Sequence, residues 1–158
     1  MSCADELRAL ALLIAANALP VIVAQLARER WAVPLDFGWV LPDGERLFGG
    51  HKTWRGLASG IVGCICAGLL LGVAPIVSAG FGCASLLADA LSSAAKRRMH
   101  LQPGTEYLGL DQLGEALVPL ALFASSLTLD WSEVVLVAAA FTMLDIATAR
   151  LRHRRWLR

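Results

Sequence analysis

Apolar and polar positions in this chain are sorted into long blocks and do not alternate. The stretch from Leu57 to Leu87 contains no charged side chain, and further apolar runs lie on both sides of it. Period-two alternation, the mark of a half-buried strand, is absent, so helices are expected. A bilayer core takes about 20 apolar residues per helix, and there only helices or closed barrels satisfy the backbone. The blocks predict five spans, at roughly 9–27, 57–74, 76–95, 113–129 and 133–149. Gly56 to Ala95 is about twice the length of one crossing, so it is expected to fold back on itself, with Pro75 as the break. Asp130, Trp131 and Ser132 form the turn between the last two spans. The expected fold class is all-α: one integral membrane bundle over residues 1–158, with loops at 28–56 and 96–112.

Charge gives the bundle an orientation. Arg28, Arg30, Arg46, Lys52 and Arg55 fall between the first and second spans, and Lys96, Arg97 and Arg98 between the third and fourth. Arg150, Arg152, Arg154, Arg155 and Arg158 follow the fifth, and Arg8 alone remains for the opposite side. The positive-inside rule then puts both loops and the carboxyl terminus in the cytoplasm and the amino terminus outside, in a multi-pass protein of the cell (inner) membrane. All five Trp lie outside the apolar runs, as interfacial anchors do. A secretory signal peptide is not expected, because Asp5 and Glu6 stand where basic residues should precede the first span.

Composition agrees. The chain is 57% hydrophobic with a mean hydropathy of +0.62, too apolar for a soluble domain of its length. The net charge of +1 conceals the one-sided basic distribution, and no nucleic-acid partner is expected. Of the four Cys, Cys64, Cys66 and Cys83 lie within spans and Cys3 stands alone. With no CxxC, neither a disulfide framework nor a zinc site is expected.

Asp89 is the sharpest polar anomaly. A carboxylate inside a membrane helix costs about 2.5–3.5 kcal/mol on insertion scales, so something must offset it. Lys96 is seven residues on, close to the same helical face, with Ser92 and Ser93 on either side of that stripe. Two readings follow. Asp89 and Lys96 pair to hold the helix end, or Asp89 ligates a metal beside a phosphate-binding base. Lys96, Arg97 and Arg98 serve equally as an orientation anchor. After the Pro103-Gly104 turn, Asp111 either caps the fourth helix or joins Glu115, four residues on, as a second carboxylate. Asp89, Asp111 and Glu115 together form a candidate Mg²⁺ site, since Mg²⁺ prefers oxygen ligands. Asp145 in the fifth span is expected to pair with Arg150 or Arg28, and Asn17 with Pro20 gives the first span a polar kink.

The first loop carries Gly49-Gly50-His51-Lys52-Thr53-Trp54-Arg55-Gly56. It is not a P-loop, because His51 separates glycine from lysine and no strand precedes it. It reads as a triphosphate site of backbone N–H groups, Lys52 and Arg55 at a helix start, or else as a glycine turn with interfacial anchors.

These pieces resemble the CDP-archaeol synthases, short relatives of the phosphatidate cytidylyltransferases. The resemblance covers nearly the whole chain. It is carried by Ala16-Asn17-Ala18-Leu19-Pro20-Val21, by Pro34-Leu35-Asp36-Phe37-Gly38, and by Arg46-Leu47-Phe48-Gly49 followed by Lys52 to Gly56. Asp89-x-x-Ser92-Ser93-x-x-Lys96-Arg97-Arg98, Pro103-Gly104 and Leu110-Asp111-Gln112 complete it. The resemblance implies five transmembrane helices and transfer of CMP from CTP to a lipid phosphate with Mg²⁺, releasing pyrophosphate. The expected acceptor is similar to 2,3-di-O-geranylgeranylglyceryl phosphate. By the same resemblance Asp89 and Asp111 hold the metal, and Lys52, Arg55, Lys96 and Arg97 hold CTP phosphates. Thr53, Ser93 and Arg98, in the same blocks, join the phosphate-binding set, and Asp89, Lys96 and Asp111 are the expected catalytic residues.

The chain departs from the family pattern at Ala88, where many members have glycine, and at Ala94, where an aromatic is usual. Gly114 replaces a second aspartate, with Glu115 beside it, so that residues 111–117 look more like a bacterial branch. An ester-lipid phosphatidate acceptor is the alternative for a bacterial owner. A small transporter using Asn17, Asp89 and Asp145 as a polar path is the non-enzymatic alternative.

Overall fold

The computed structural model describes residues 3–101 and 110–156, with side chains over 3–101 and 114–148. Five α-helices follow in order: α1 (Cys3–Ala27), α2 (Trp54–Leu71), α3 (Pro75–Arg98), α4 (Leu110–Phe123) and α5 (Trp131–Trp156), with a short 3₁₀ turn at Ser125–Leu127. Among the described residues, four segments are long and apolar enough to cross a bilayer: α1, α2, α3 and Trp131–Thr148 of α5. The protein is thus a multi-pass helical membrane protein, and all five expected helices are present.

Helix ends follow local chemistry. Thr53, in extended conformation, caps α2 by accepting from Gly56 N at 3.1 Å. Gly72 ends α2 in the left-handed region at φ 74°, and Pro75 opens α3 at its first turn. Pro75 therefore starts a helix, and the turn itself lies just before it. Glu133 Oε2 accepts from Asp130 N at 2.9 Å where α5 begins.

The fourth span differs most from expectation. Its α-helix stops at Phe123, tightens through Ser125–Leu127, and ends at Thr128 with φ 56°. Serines compete for the backbone of a helix, and the left-handed Thr128 cannot continue one. At 14 residues α4 alone reaches only about 21 Å. It still extends well along α3, since Phe123 meets Phe81 with ring centroids 6.0 Å apart.

Glycines permit the close approach of α2 to its neighbours. A Cβ at Gly60 would stand 2.8 Å from the Ala16 carbonyl and 2.7 Å from Leu86 Cδ1, so α1, α2 and α3 meet there within one chain. Arginines tie the α1–α2 hairpin at both ends. Arg8 Nε donates to Leu71 O at 3.0 Å, and Arg55 donates to Arg28 O at 2.9 Å and also to Arg30 O. Each supplies a donor to carbonyls beyond or at a helix end that lack helical partners.

The loop between α1 and α2 folds around Asp36, whose side chain is fully buried. One carboxylate oxygen accepts from Gly38 N at 3.0 Å and Arg46 Nη2 at 2.6 Å. The other accepts from Phe48 N at 3.2 Å and Gly49 N at 3.3 Å. Backbone bonds Leu35 N to Lys52 O (2.8 Å) and Trp54 N to Val33 O (3.0 Å) zip the two loop ends together. Arg98 at the end of α3 grips the loop through Asp43 (2.9 Å) and the Arg46 carbonyl (2.9 Å). Burial alone would raise the Asp36 pKa. The Gly38 N–H, the Arg46 guanidinium and the Phe48 N–H outweigh it and hold the group below the ordinary carboxylate value.

Two outcomes follow from this packing. Gly60→Ala is expected to lower stability by about 1–3 kcal/mol, read as a reduced thermal midpoint in detergent; an unchanged midpoint contradicts the close contact. Asp36, with a depressed folded pKa, contributes fully above its unfolded value of about 3.9 and loses that contribution as pH falls through the folded value. Tryptophan emission should therefore hold down to about pH 4 and shift below it. In Asp36→Asn that acid step should vanish; a step of the same size would contradict the role.

Candidate active site

Asp89 lies on α3, near the end that the loop covers. Its cationic partner is Lys52, from the loop residue immediately before the cap of α2, whose ammonium bonds Asp89 Oδ2. Both side chains are mostly buried, at 24% and 20% exposure. At that depth either charge alone would be costly, so each depends on the other. The pairing of Asp89 with Lys96 was the simplest reading along one helix; the structure instead brings the cation from a different segment.

A second carboxyl joins the pair. Glu115, from α4, stands close enough to hydrogen-bond Asp89, and Lys52 and Asp145 of α5 both act electrostatically on it. Two helices, α3 and α4, and the loop therefore converge here, and Asp145 of α5 adds a longer-range electrostatic influence.

The other expected residues divide into two groups. Arg97 is buried at 5% exposure, and its Nη1 has no hydrogen-bond partner among the described residues. A buried guanidinium nitrogen in that state is what an anion would satisfy. Ser92 and Ser93 both donate to the Asp89 carbonyl at 2.9 Å, turning back along α3. Thr53 accepts at the α2 cap, Arg55 ties the α1 end, and Arg98 grips the loop, so these three build the frame that holds Lys52. Lys96 is half-buried on the last turns of α3 and makes an interaction of its own. Asp111 is in the first turn of α4, and its side chain lies outside the described residues.

Beside the charged point a cavity of about 1150 Å³ opens between α1, the loop, α2 and α3. Its lining includes Arg28, His51, Lys52 and Asp89 together with Val21, Leu57 and Leu86. A cavity of that size, lined by both charged and apolar side chains, can take a small-molecule ligand.

Among the described residues no group of three or more His, Cys, Asp and Glu side chains stands ready to hold a metal. Asp89 and Glu115 nonetheless offer adjacent oxygen donors. Two carboxylates suit Mg²⁺, which completes its shell with waters or phosphates. Asp36 is the residue that spacing missed as an organiser. Its signal was an acidic residue between a proline and a glycine in a loop rich in N–H donors.

The sequence and the fold have known counterparts. A profile described as CarS-like, CDP-archaeol synthase, matches residues 15–79. A CDP-archaeol synthase from Thermofilum pendens is 36% identical over 135 residues, covering 80% of this chain and 65% of that protein. One from Pyrococcus furiosus is 33% identical over 153 residues, covering 88% of this chain and 86% of that protein. A solved structure of an intramembrane enzyme for archaeal membrane lipid biosynthesis superimposes with a TM-score of 0.72 at 32% identity, covering 87% of this chain and 90% of the other. With most of its length shared with these relatives, the chain belongs to the CDP-archaeol synthase family.

Proposed function

We propose that this chain is a membrane cytidylyltransferase that transfers CMP from CTP to a lipid phosphate, giving a CDP-activated lipid of the CDP-archaeol type and pyrophosphate. The observation that carries this reading is the pairing of Lys52 with Asp89, both of which line a cavity that charged and apolar side chains share. A nucleotide enters from water and lipid chains from the bilayer, so their phosphates must meet at such a boundary. The basic loops and tail orient that boundary toward the cytoplasm, where CTP is found.

The reaction is a displacement at phosphorus. An oxygen of the lipid phosphate forms a bond to the α-phosphorus of CTP, and the bond to the β-phosphate oxygen breaks, releasing pyrophosphate. The attacking group is already anionic at neutral pH, so no general base is needed. The obstacle is the approach of one anion to another, and neutralisation with alignment supplies the catalysis. Mg²⁺ held by Asp89 and Glu115, with Asp111 as a third candidate, would neutralise phosphate charge when bound. Lys52 then has a second anion within reach. An ammonium on Asp89 can serve as counter-ion before substrate arrives and turn to phosphate afterwards. Arg97, with its open Nη1, and Lys96 supply further positive charge toward phosphate. Thr53, Arg55 and Arg98 contribute by holding the loop that carries Lys52.

The test is pyrophosphate release by purified protein with labelled CTP, Mg²⁺ and a panel of lipid phosphates. Digeranylgeranylglyceryl phosphate is expected to be cytidylylated in preference to phosphatidate, and the reverse order would assign an ester-lipid enzyme. Asp89→Asn is expected to lower turnover by about a hundredfold or more while membrane insertion stays intact. Normal turnover in that variant would remove the metal-ligand role.

A further inference from the structure

Pro119 stands in α4 four residues after Glu115. Proline has no N–H, so the Glu115 carbonyl loses the partner that a continuous helix would provide. In a membrane interior an open carbonyl needs another donor. The donor is a side chain of a different helix: Ser85 Oγ of α3 bonds Glu115 O at 3.0 Å. Ser85 is fully buried, and its oxygen lies 3.4 Å from Asn17 Nδ2 of α1. Asn17 is itself held by Leu13 O at 3.0 Å.

Other serines of α3 behave differently. Ser78 donates to Ala74 O at 3.2 Å, and Ser92 and Ser93 to Asp89 O, all within their own segment. Ser85 alone among these reaches across to another helix. It does so one turn before Asp89, on the same face. The carbonyl it takes belongs to Glu115, the residue whose carboxyl meets Asp89.

We infer that Ser85, steadied by Asn17, is a positioning residue that fills the backbone gap left by Pro119 and thereby sets the depth and rotation of α4 that bring Glu115 to Asp89. The inference rests on the reading of Asp89 and Glu115 as the metal-holding pair. Sliding α4 by one residue would move its axis position by about 1.5 Å and turn the Glu115 side chain by about 100°, away from Asp89. The hydrogen bond at a fixed carbonyl opposes that slide together with the buried face of α4 at Ala116 and Leu120.

The experiment uses the purified full chain, Mn²⁺ as a paramagnetic substitute for Mg²⁺, and CTP, with bound Mn²⁺ read by electron paramagnetic resonance. Ser85→Ala is expected to weaken Mn²⁺ binding about tenfold, the effect of losing one buried hydrogen bond. In a Pro119→Ala background the restored amide at position 119 supplies the missing donor. There, Ser85→Ala should cost less than about threefold, because the two changes act on the same carbonyl. Unchanged Mn²⁺ affinity in Ser85→Ala, or an equal loss in both backgrounds, overturns the inference while leaving the proposed activity intact. Failure of the unmodified protein to bind Mn²⁺ with CTP overturns the metal reading and the inference with it. A thermal midpoint for each variant separates loss of fold from loss of position: a tenfold metal defect with a midpoint within a few degrees of the original supports positioning.

Discussion

A carboxylate at Asp89, set into a membrane helix, has to be neutralised by something brought to it. The cation is Lys52, delivered by a loop that would otherwise have no reason to be so firmly built. Asp36 gathers four donors into the loop interior, the loop ends are zipped at Leu35 and Trp54, and Arg98 ties the whole to α3. The frame places one ammonium over one carboxylate at the edge of the bilayer. Remove that pairing, and a buried charge is left on each side with nothing to balance it.

The same constraint explains the division of labour among the basic residues. A positively charged face suits a reaction between two phosphates, yet three of its described arginines, Arg46, Arg55 and Arg98, are occupied in structure. Arg55 and Arg98 satisfy carbonyls and an aspartate, and Arg46 is bound to Asp36. Lys52 is held by a group that can exchange it for another ligand, and Arg97 keeps a buried nitrogen open. Positive charge that is already locked in a frame steers anions but cannot follow them. Arg46 and Arg55 also carry a buried Nε without a partner, but their other nitrogens are tied to the loop, which leaves Lys52 and Arg97 the better suited to meeting a substrate.

Much of this was legible in the sequence. The five helices follow from apolar block length, and the basic loops from charge. Asp89 and Glu115 stood out as carboxylates at membrane depth, where any charge needs a reason. What was not legible involves contacts between segments. Helical periodicity relates Asp89 to Lys96, because it compares positions on one helix; it says nothing of a loop 37 residues earlier in the chain. Thr53, Arg55 and Arg98 lie in blocks that read as phosphate-binding, but composition cannot tell a phosphate from a backbone carbonyl as the acceptor. The expected pairing of Asp145 with Arg150 falls on a side chain outside the described residues, while its electrostatic influence on Glu115 crosses from one helix to another. Pro119 announces an open carbonyl at Glu115, but only the packed bundle identifies Ser85 as its donor.

Asp89 and Glu115 are proposed to hold one divalent ion at the point where Lys52 and the two phosphates meet. The most direct test is an anomalous-difference map from crystals grown with Mn²⁺ and CTP. The account predicts one strong peak between the Asp89 and Glu115 carboxylates, with the CTP phosphates on its far side and the Lys52 ammonium moved onto a phosphate oxygen. A peak remote from both carboxylates, with Lys52 still on Asp89 in the nucleotide-bound protein, would contradict it.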